Sequence, residues 1–380
     1  RVLPLSFERT YTSSAGGEPG PLGLGWTHNW AAYVALTPCG EAIVVSEGGA
    51  QRFVDDGAGG LRPLRGHHGS LVGNVADRSF DFTPKIGVRY HFDYLHGSRW
   101  ILSFVEEPNG NRISLSYRQS IEPFQRLLSA VTDEAGRRLT FRYEVREFAS
   151  WRGEVLVGVS GPEGFELALE YDAFGTVTRA SREPHPGGSG AAAASASESY
   201  AYQALPGQAL DDRRVLVSAR DDLSGAETLW SYGQAILGIT TDASTPAPVV
   251  LTVTHPRGGV RVFDYDEPAL LQANGPAATA VTDARGKVRS YFSNRYGAVE
   301  RIEDPLGQVT LTEWDLDHVV PTARTDANGH RTEMAYDQHG NLLSETITVV
   351  DVAGASHATT KSMTYVQESA FDSPGILDRL

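Results

Sequence analysis

Glycine at a fixed place in a recurring window constrains this chain more than any other feature. Fourteen-residue windows starting at positions 81, 104, 130, 158, 219, 252, 280, 301 and 323 all carry glycine seventh: Gly87, Gly110, Gly136, Gly164, Gly225, Gly258, Gly286, Gly307 and Gly329. Eight of the nine close on an aromatic residue (Tyr94, Tyr117, Tyr143, Tyr171, Tyr232, Tyr265, Trp314 and Tyr336), and the ninth closes on Ser293. Chance does not place nine glycines this way in a chain that has 40. A period of this kind marks a repeat architecture, in which each unit is one small supersecondary element.

The window from Arg301 to Trp314 shows the physics. A short β-type run reaches Asp304-Pro305-Leu306-Gly307, where Asp can cap its own backbone and Gly supplies a positive φ. Val309-Thr310-Leu311-Thr312-Glu313-Trp314 then alternates with period two, the pattern of a strand. A second turn often follows the aromatic, as in Tyr171-Asp-Ala-Phe-Gly175 and Tyr336-Asp-Gln-His-Gly340, with a glycine-free version at Trp314-Asp-Leu-Asp-His318. Strands of about 7 residues, roughly 23 Å, joined by tight turns give an antiparallel meander. The expected class is all-β, with helix-period segments essentially absent.

The repeat is regular near the C-terminus, with window spacings of 21 and 22, and looser before it. Residues 1–80 read as strand and turn without the clean motif, and residues 81–380 as degenerate repeats. A low-complexity loop is expected near 187–199, where Gly187-Gly-Ser-Gly-Ala-Ala-Ala-Ala-Ser-Ala-Ser197 lies. Tyr200–Leu216 and Pro246–Pro248 read as irregular insertions, and Ser362–Val366 as a final strand.

Tyr-Asp-x-x-Gly paired with Asp-x-x-Gly and a closing aromatic resembles the Rhs, or YD, repeat. The opening residues add to this. Pro4-Leu5-Ser6-Phe7-Glu8-Arg9-Thr10-Tyr11, then Gly20-Pro-Leu-Gly-Leu-Gly25-Trp26-Thr-His-Asn29-Trp30, is similar to the start of the Rhs core. The resemblance covers nearly the whole chain and corresponds to the N-terminal part of that core. It implies a spiralling sheet that forms part of a hollow shell, enclosing a C-terminal toxin domain in polymorphic or Tc-type toxins. Related repeats serve adhesion in teneurins. The self-cleaving end of the Rhs core is not matched, because Gln308-Val309-Thr310 continues Asp304–Gly307 as an ordinary repeat. No autoproteolytic role is carried over.

Little else in the sequence suggests chemistry. A net charge of −14 lacks the basic footprint of a nucleic-acid binder. The longest apolar runs, Val155–Val159 and Val249–Leu251, are far short of a spanning helix. Arg1-Val2-Leu3-Pro4 opens without a signal peptide, so either export takes another route or the sequence starts inside a longer protein. The end at Ile376–Leu380, in mid-repeat, is consistent with a piece of a larger shell.

Cys39 excludes an internal disulfide and reads as a buried or half-buried structural thiol. His67-His68 reads as a solvent-exposed turn pair, and His91 and His96 flank a strand end without metal-ligand spacing. Asp55-Asp56, Asp211-Asp212 and Asp221-Asp222 lack the pattern of a calcium loop. Ser13-Ser14 and Gly158-Val159-Ser160-Gly161 lack the context of a nucleophile elbow. No catalytic or metal-binding residue and no cofactor is expected, and the aromatics read as packing residues.

The expected role is a wall segment of a shell that is secreted or lies at the cell surface. Its expected partners are the rest of the shell, the enclosed toxin and secretion-apparatus proteins, with no nucleic acid and no membrane span. The alternative is an adhesion or glycan-binding module that uses the same aromatics. An enzyme comes third.

Overall fold

Period-two alternation becomes strand wherever an Asp-x-x-Gly turn can reverse the chain. At Asp304 the backbone N–H donates to the Gln308 carbonyl at 2.9 Å, and the Gly307 N–H returns to the Asp304 carbonyl at 3.0 Å. The Asp304 carboxylate caps the turn by accepting from the N–H groups of Leu306 and Gln308 at 2.8 and 2.9 Å. Asp283 and Asp326 repeat the arrangement. These amides, with Lys287 leading at Asp283 and His330 at Asp326, hold both carboxyls below the usual carboxylate range. Gly307 sits at φ +76°, the left-handed residue that closes a type I turn with its bulge.

The computed structural model describes residues 3–13, 19–46, 49–64, 66–74, 78–84, 87–96, 99–122, 125–182, 196–204, 214–235, 247–265, 277–294, 296–337, 340–351 and 354–364. Among the described residues, twenty-seven strands, from Tyr33–Leu36 to Ser356–Ser362, follow one another with antiparallel pairing. Among the described residues the only helical element is a single 3-10 turn, Pro162–Gly164. Among the described residues no helix is long and apolar enough to cross a membrane.

The chain divides into two compact units, residues 1–64 with 69–228, and residues 65–68 with 229–368. In the first, Arg9–Tyr11 pairs with Trp26–His28 as a separate two-stranded ribbon. Strand Arg99–Glu106 then takes two neighbours along one edge. Its first half pairs with Tyr33–Leu36 (Trp100 opposite Val34) and its second with Arg112–Gln119 (Val105 opposite Ile113). The core gathers beside this branch. Phe53, Phe80, Phe82, Phe92, Trp100 and Leu102 are among its largest fully buried side chains. Phe80 meets Trp100 edge-on at 5.0 Å, and Phe53 meets Phe82 at 6.0 Å, the T-shaped contact that aromatic quadrupoles favour.

The second unit is a plain meander. Pairing runs from Leu229 opposite Thr254 through Leu311 opposite Thr325 to Val350 opposite Ser356. Only Val249, Ala298, Val320 and Ala323 of this unit are buried hydrophobic residues among those described.

Several sequence expectations are corrected. Ser197–Ala204 and Arg214–Asp221 are paired strands, so the described ends of Tyr200–Leu216 are strand and not irregular sequence, residues 205–213 lying outside the described residues, and the last residues of the 187–199 loop are strand. The hydroxyl-rich run at 197–199 is read as loop by composition, yet Ser199 fits opposite Arg220. Residues 187–195 of that loop lie outside the described residues. Pro248 lies within strand Ala247–Thr254, opposite Gln234. The last described strand is Ser356–Ser362, which ends where Ser362–Val366 was expected to begin. Cys39 is exposed and not buried, because the Thr37–Gly40 turn carries it off the sheet.

Candidate functional site: an aromatic face with the leader seated on it

All nine window glycines lie at positive φ, between 68° and 109°. All eight window aromatics are half-buried. At three of them the polar tip is bonded to main chain. The Tyr117 hydroxyl donates to the Leu102 carbonyl at 2.7 Å, and Tyr171 to the Leu156 carbonyl at 2.6 Å. Trp314 Nε1 donates to the Val299 carbonyl at 2.9 Å. Each donor reaches a carbonyl 15 residues back. Phe could pack at these positions but could not make the bond.

A β-bulge accompanies most of these aromatics. The register shifts just before Tyr117, Tyr143, Tyr171, Tyr232, Ser293, Trp314 and Tyr336, leaving one extra residue on the following strand each time. Ser129, Val157 and Glu300 are such residues. The extra residue bends its strand and increases the local twist. Tyr94 and Tyr265 depart from the rule. Tyr265 pairs with Thr279 without a shift, and the irregularity near Tyr94 falls on its own strand.

In the first unit the leader, the opening segment described over residues 3–13 and 19–32, covers the aromatic face, bonding the backbone at the bulged strands. The Leu102 N–H donates to the Ala32 carbonyl at 3.3 Å, and the Leu156 N–H to the Pro21 carbonyl at 2.8 Å. The Tyr11 hydroxyl accepts from the Leu216 N–H and donates to the Arg214 carbonyl, both at 3.1 Å. Trp26 Nε1 donates to the Tyr202 hydroxyl at 2.7 Å, with the Tyr200 ring 4.9 Å away. Phe7 packs edge-on against Phe141. At Gly23, φ is +75° and an added Cβ would stand 1.9 Å from the Gly175 carbonyl oxygen. The leader's Gly-Pro-Leu-Gly run therefore serves close backbone approach.

Burial sets the electrostatics. It pushes the hydroxyl pKa of Tyr117, Tyr143 and Tyr171 well above the usual tyrosine value, and that of Tyr200 up to about 12. Burial also pushes His28 down to about 4, so its ring is neutral at neutral pH.

Tyr200 and Tyr202 complete the aromatic face but fall outside the nine windows. The Tyr202 hydroxyl donates to the Val177 carbonyl at 2.6 Å, 25 residues back instead of 15, because the segment before Ser197 is longer than in other repeats. His67 and His68 are half-buried, which corrects the solvent-exposed expectation; a Cβ on Gly340 would stand 2.7 Å from His68 Nδ1. His91 lies inside strand Arg89–His96, not at its end. There Asp81 hydrogen-bonds its Nδ1 at 2.8 Å and raises its pKa. Asp55, Asp56 and Asp221 cap turns, and Asp222 accepts from Ser197 and Ser199. Asp211-Asp212 lies outside the described residues. No group of three or more metal-ligating side chains forms among those described.

In repeat, turn and sheet the chain resembles the Rhs, or YD-repeat, type. Residues 1–53 match the model of a family described as a domain of unknown function, DUF6531. No curated protein matches the chain. Among solved structures, the Tc holotoxin pore of Photorhabdus luminescens with a mutated TccC3 is 12% identical, with a TM-score of 0.37, over 80% of this chain and 15% of that one. The TcdB2-TccC3-Cdc42 structure is 12% identical, with a TM-score of 0.36, over 94% of this chain and 28% of that one. The N-terminal domain of the effector SpvB from Salmonella typhimurium strain LT2 is 13% identical, with a TM-score of 0.22, over 70% and 91%. The chain thus spans well under a third of the first two.

Proposed function

We propose that this chain is a structural, non-catalytic wall segment of a toxin-associated Rhs-type shell, secreted or at the cell surface, whose sheet encloses a toxin polypeptide. The observation that carries the reading is the bulge that recurs beside the repeat aromatic. Repeated on the strand after the aromatic, it bends the sheet at regular intervals, and regular bending is how a long open sheet is curved. The repeat aromatics are half-buried in both units. In the first unit a segment of polypeptide already lies on them, bonded through main chain as well as packed. The rest of the shell and the enclosed toxin are its partners under this reading.

The test is protease protection of the native assembly. The chain, tagged in its natural producer with its gene otherwise intact, should purify with a second polypeptide or domain that trypsin cleaves only after the shell is denatured. Purification without any protected polypeptide would reject containment. Saturable binding on a glycan array in the same preparation would then favour adhesion.

A further inference from the structure

We propose that the second unit binds an extended polypeptide at Val299. The Val299 N–H donates to a main-chain carbonyl of the incoming chain, and an aromatic side chain of that chain packs where Ser293 stands in place of a ring. Its identity rests on the wall reading, under which it is the enclosed cargo.

Leu156, Leu216 and Val299 occupy one position of the repeat. They lie opposite Tyr143, Tyr202 and Ser293, each beside the register shift. In the first unit the leader serves this position twice. The Leu156 N–H donates to the Pro21 carbonyl at 2.8 Å, and the Leu216 N–H to the Tyr11 hydroxyl at 3.1 Å.

Val299 repeats the geometry. The Asn294 N–H bonds the Ala298 carbonyl at 2.8 Å. Antiparallel pairs alternate between exchanging hydrogen bonds and not, so the next pair, Ser293 with Val299, does not exchange them. The Val299 N–H therefore points towards strand Val309–Asp315, whose ladder with Val299–Glu303 begins only at Arg301. Strands Arg152–Ser160 and Glu166–Tyr171 likewise pair only from Gly158, and there the leader bonds Leu156. The carbonyls match as well: Val299 accepts from Trp314 Nε1 at 2.9 Å, and Leu156 from the Tyr171 hydroxyl at 2.6 Å. An amide aimed between parted strands suits main-chain pairing, by which sheets take up extended peptides.

Ser293 is the second observation. It closes its window without a ring, and it stands opposite Val299. At the matching place in the first unit the leader packs a ring of its own, Tyr11 lying 6.0 Å from Tyr202. Serine is smaller than tyrosine by a ring, which an aromatic residue of the bound chain supplies.

The probe is a synthetic peptide of residues 19–32, which carries the leader's Gly-Pro-Leu-Gly run, Trp26 and Trp30. It is added to the whole chain, whose own leader holds the seat in the first unit, and followed by calorimetry and peptide-resolved hydrogen exchange. Saturable binding is expected, with added protection in Val299–Glu303 and Val309–Asp315. Val299→Pro removes the donor and should weaken binding about tenfold. Pro321, opposite Trp314 at the same position, is the precedent for proline there. Ser293→Tyr, which restores the ring of the other windows, should weaken binding at least as much. A probe with both tryptophans replaced by alanine should bind about tenfold more weakly. Affinity unchanged by either substitution, protection confined to Arg152–Ser160, or no saturable binding at millimolar probe each overturns the proposal. Because the probe is not cargo, none of these outcomes decides containment, which the protease test reads separately.

Discussion

The two units are written in the same repeat but are buried differently. In the first, Tyr117, Tyr143 and Tyr171 share their face with a leader that brings Phe7, Tyr11, Trp26 and Trp30 onto it, and the hydrophobic core spans leader and sheet. In the second, Tyr232, Tyr265, Trp314 and Tyr336 occupy the same repeat positions, yet Leu251, Val262, Val288, Leu311 and Ile347 are each more than a third exposed. The repeat therefore dictates strand, turn and bulge. A core needs a second layer, because a sheet buries a face only against something. The difference is one of cover, and it can be attacked experimentally.

The largest effect should come from the branch strand of the first unit. Trp100 is fully buried against Phe80 and Tyr94, so Trp100→Ala removes contacts that nothing replaces and should cost about 3–5 kcal/mol. Leu311 is 47% exposed, and Leu311→Ala should cost about 0.5 kcal/mol or less. Amide hydrogen exchange, read peptide by peptide, reports each unit separately. Similar losses at the two sites would end the comparison.

Acid should separate the units next. His28 has its folded pKa depressed from 6.5 to about 4, so the unfolded chain binds the proton first. Stability from the neutral ring is present above about pH 6.5 and is lost as pH falls from there towards 4. The full loss is on the order of 3 kcal/mol, since each tenfold change in proton affinity is worth about 1.4 kcal/mol. Exchange protection in the leader and in strand Arg138–Glu147 should fall across this window, and His28→Phe should flatten that dependence. Equal acid sensitivity in His28→Phe would remove His28 as the cause.

Much of this was legible in the residues, and the limits have physical causes. The Asp-x-x-Gly turns were readable because their chemistry is local: Asp304 caps its own turn, and only a residue that tolerates positive φ fits at Gly307. Bulges were not readable. The extra residues include Ser129, Val157 and Glu300, which share no chemistry, because the bulge is imposed from the neighbouring strand. The leader motif could be seen in sequence, but its seat could not, since Gly23 meets Gly175 only after more than 150 residues of sheet have formed. Tyr202 was missed for a related reason: its partner carbonyl is displaced by the longer segment before Ser197.

Two glycines with nearly the same backbone sharpen the point. Gly23 and Gly307 have φ of +75° and +76°. A Cβ at Gly307 meets nothing within 4 Å, so Gly307→Ala should cost only the left-handed penalty, about 1–2 kcal/mol. Gly23→Ala adds a 1.9 Å clash with a backbone oxygen and should cost at least about 1–3 kcal/mol more, releasing the leader. Calorimetric melts that place the two variants together would mean that the leader contributes nothing beyond its own turn.

The smallest expected effect tests the polar tips alone. Tyr171→Phe keeps the ring and deletes one hydroxyl, leaving the Leu156 carbonyl without the donor that reached it at 2.6 Å. The Leu156 N–H is engaged by the leader's Pro21, so the lost bond lies where sheet and leader meet. A buried carbonyl that loses its partner should cost about 1 kcal/mol. Tyr336→Phe is the matched change in the second unit, where the hydroxyl meets Met334 Sδ at 3.6 Å. Sulfur is a weak acceptor, and this substitution should be close to neutral. Denaturant titrations of the two variants would show whether the aromatic tip carries stability only where the leader covers it. A Tyr336→Phe loss as large as that of Tyr171→Phe would show that the rung works without cover, and the contrast between the units would then rest on apolar burial alone.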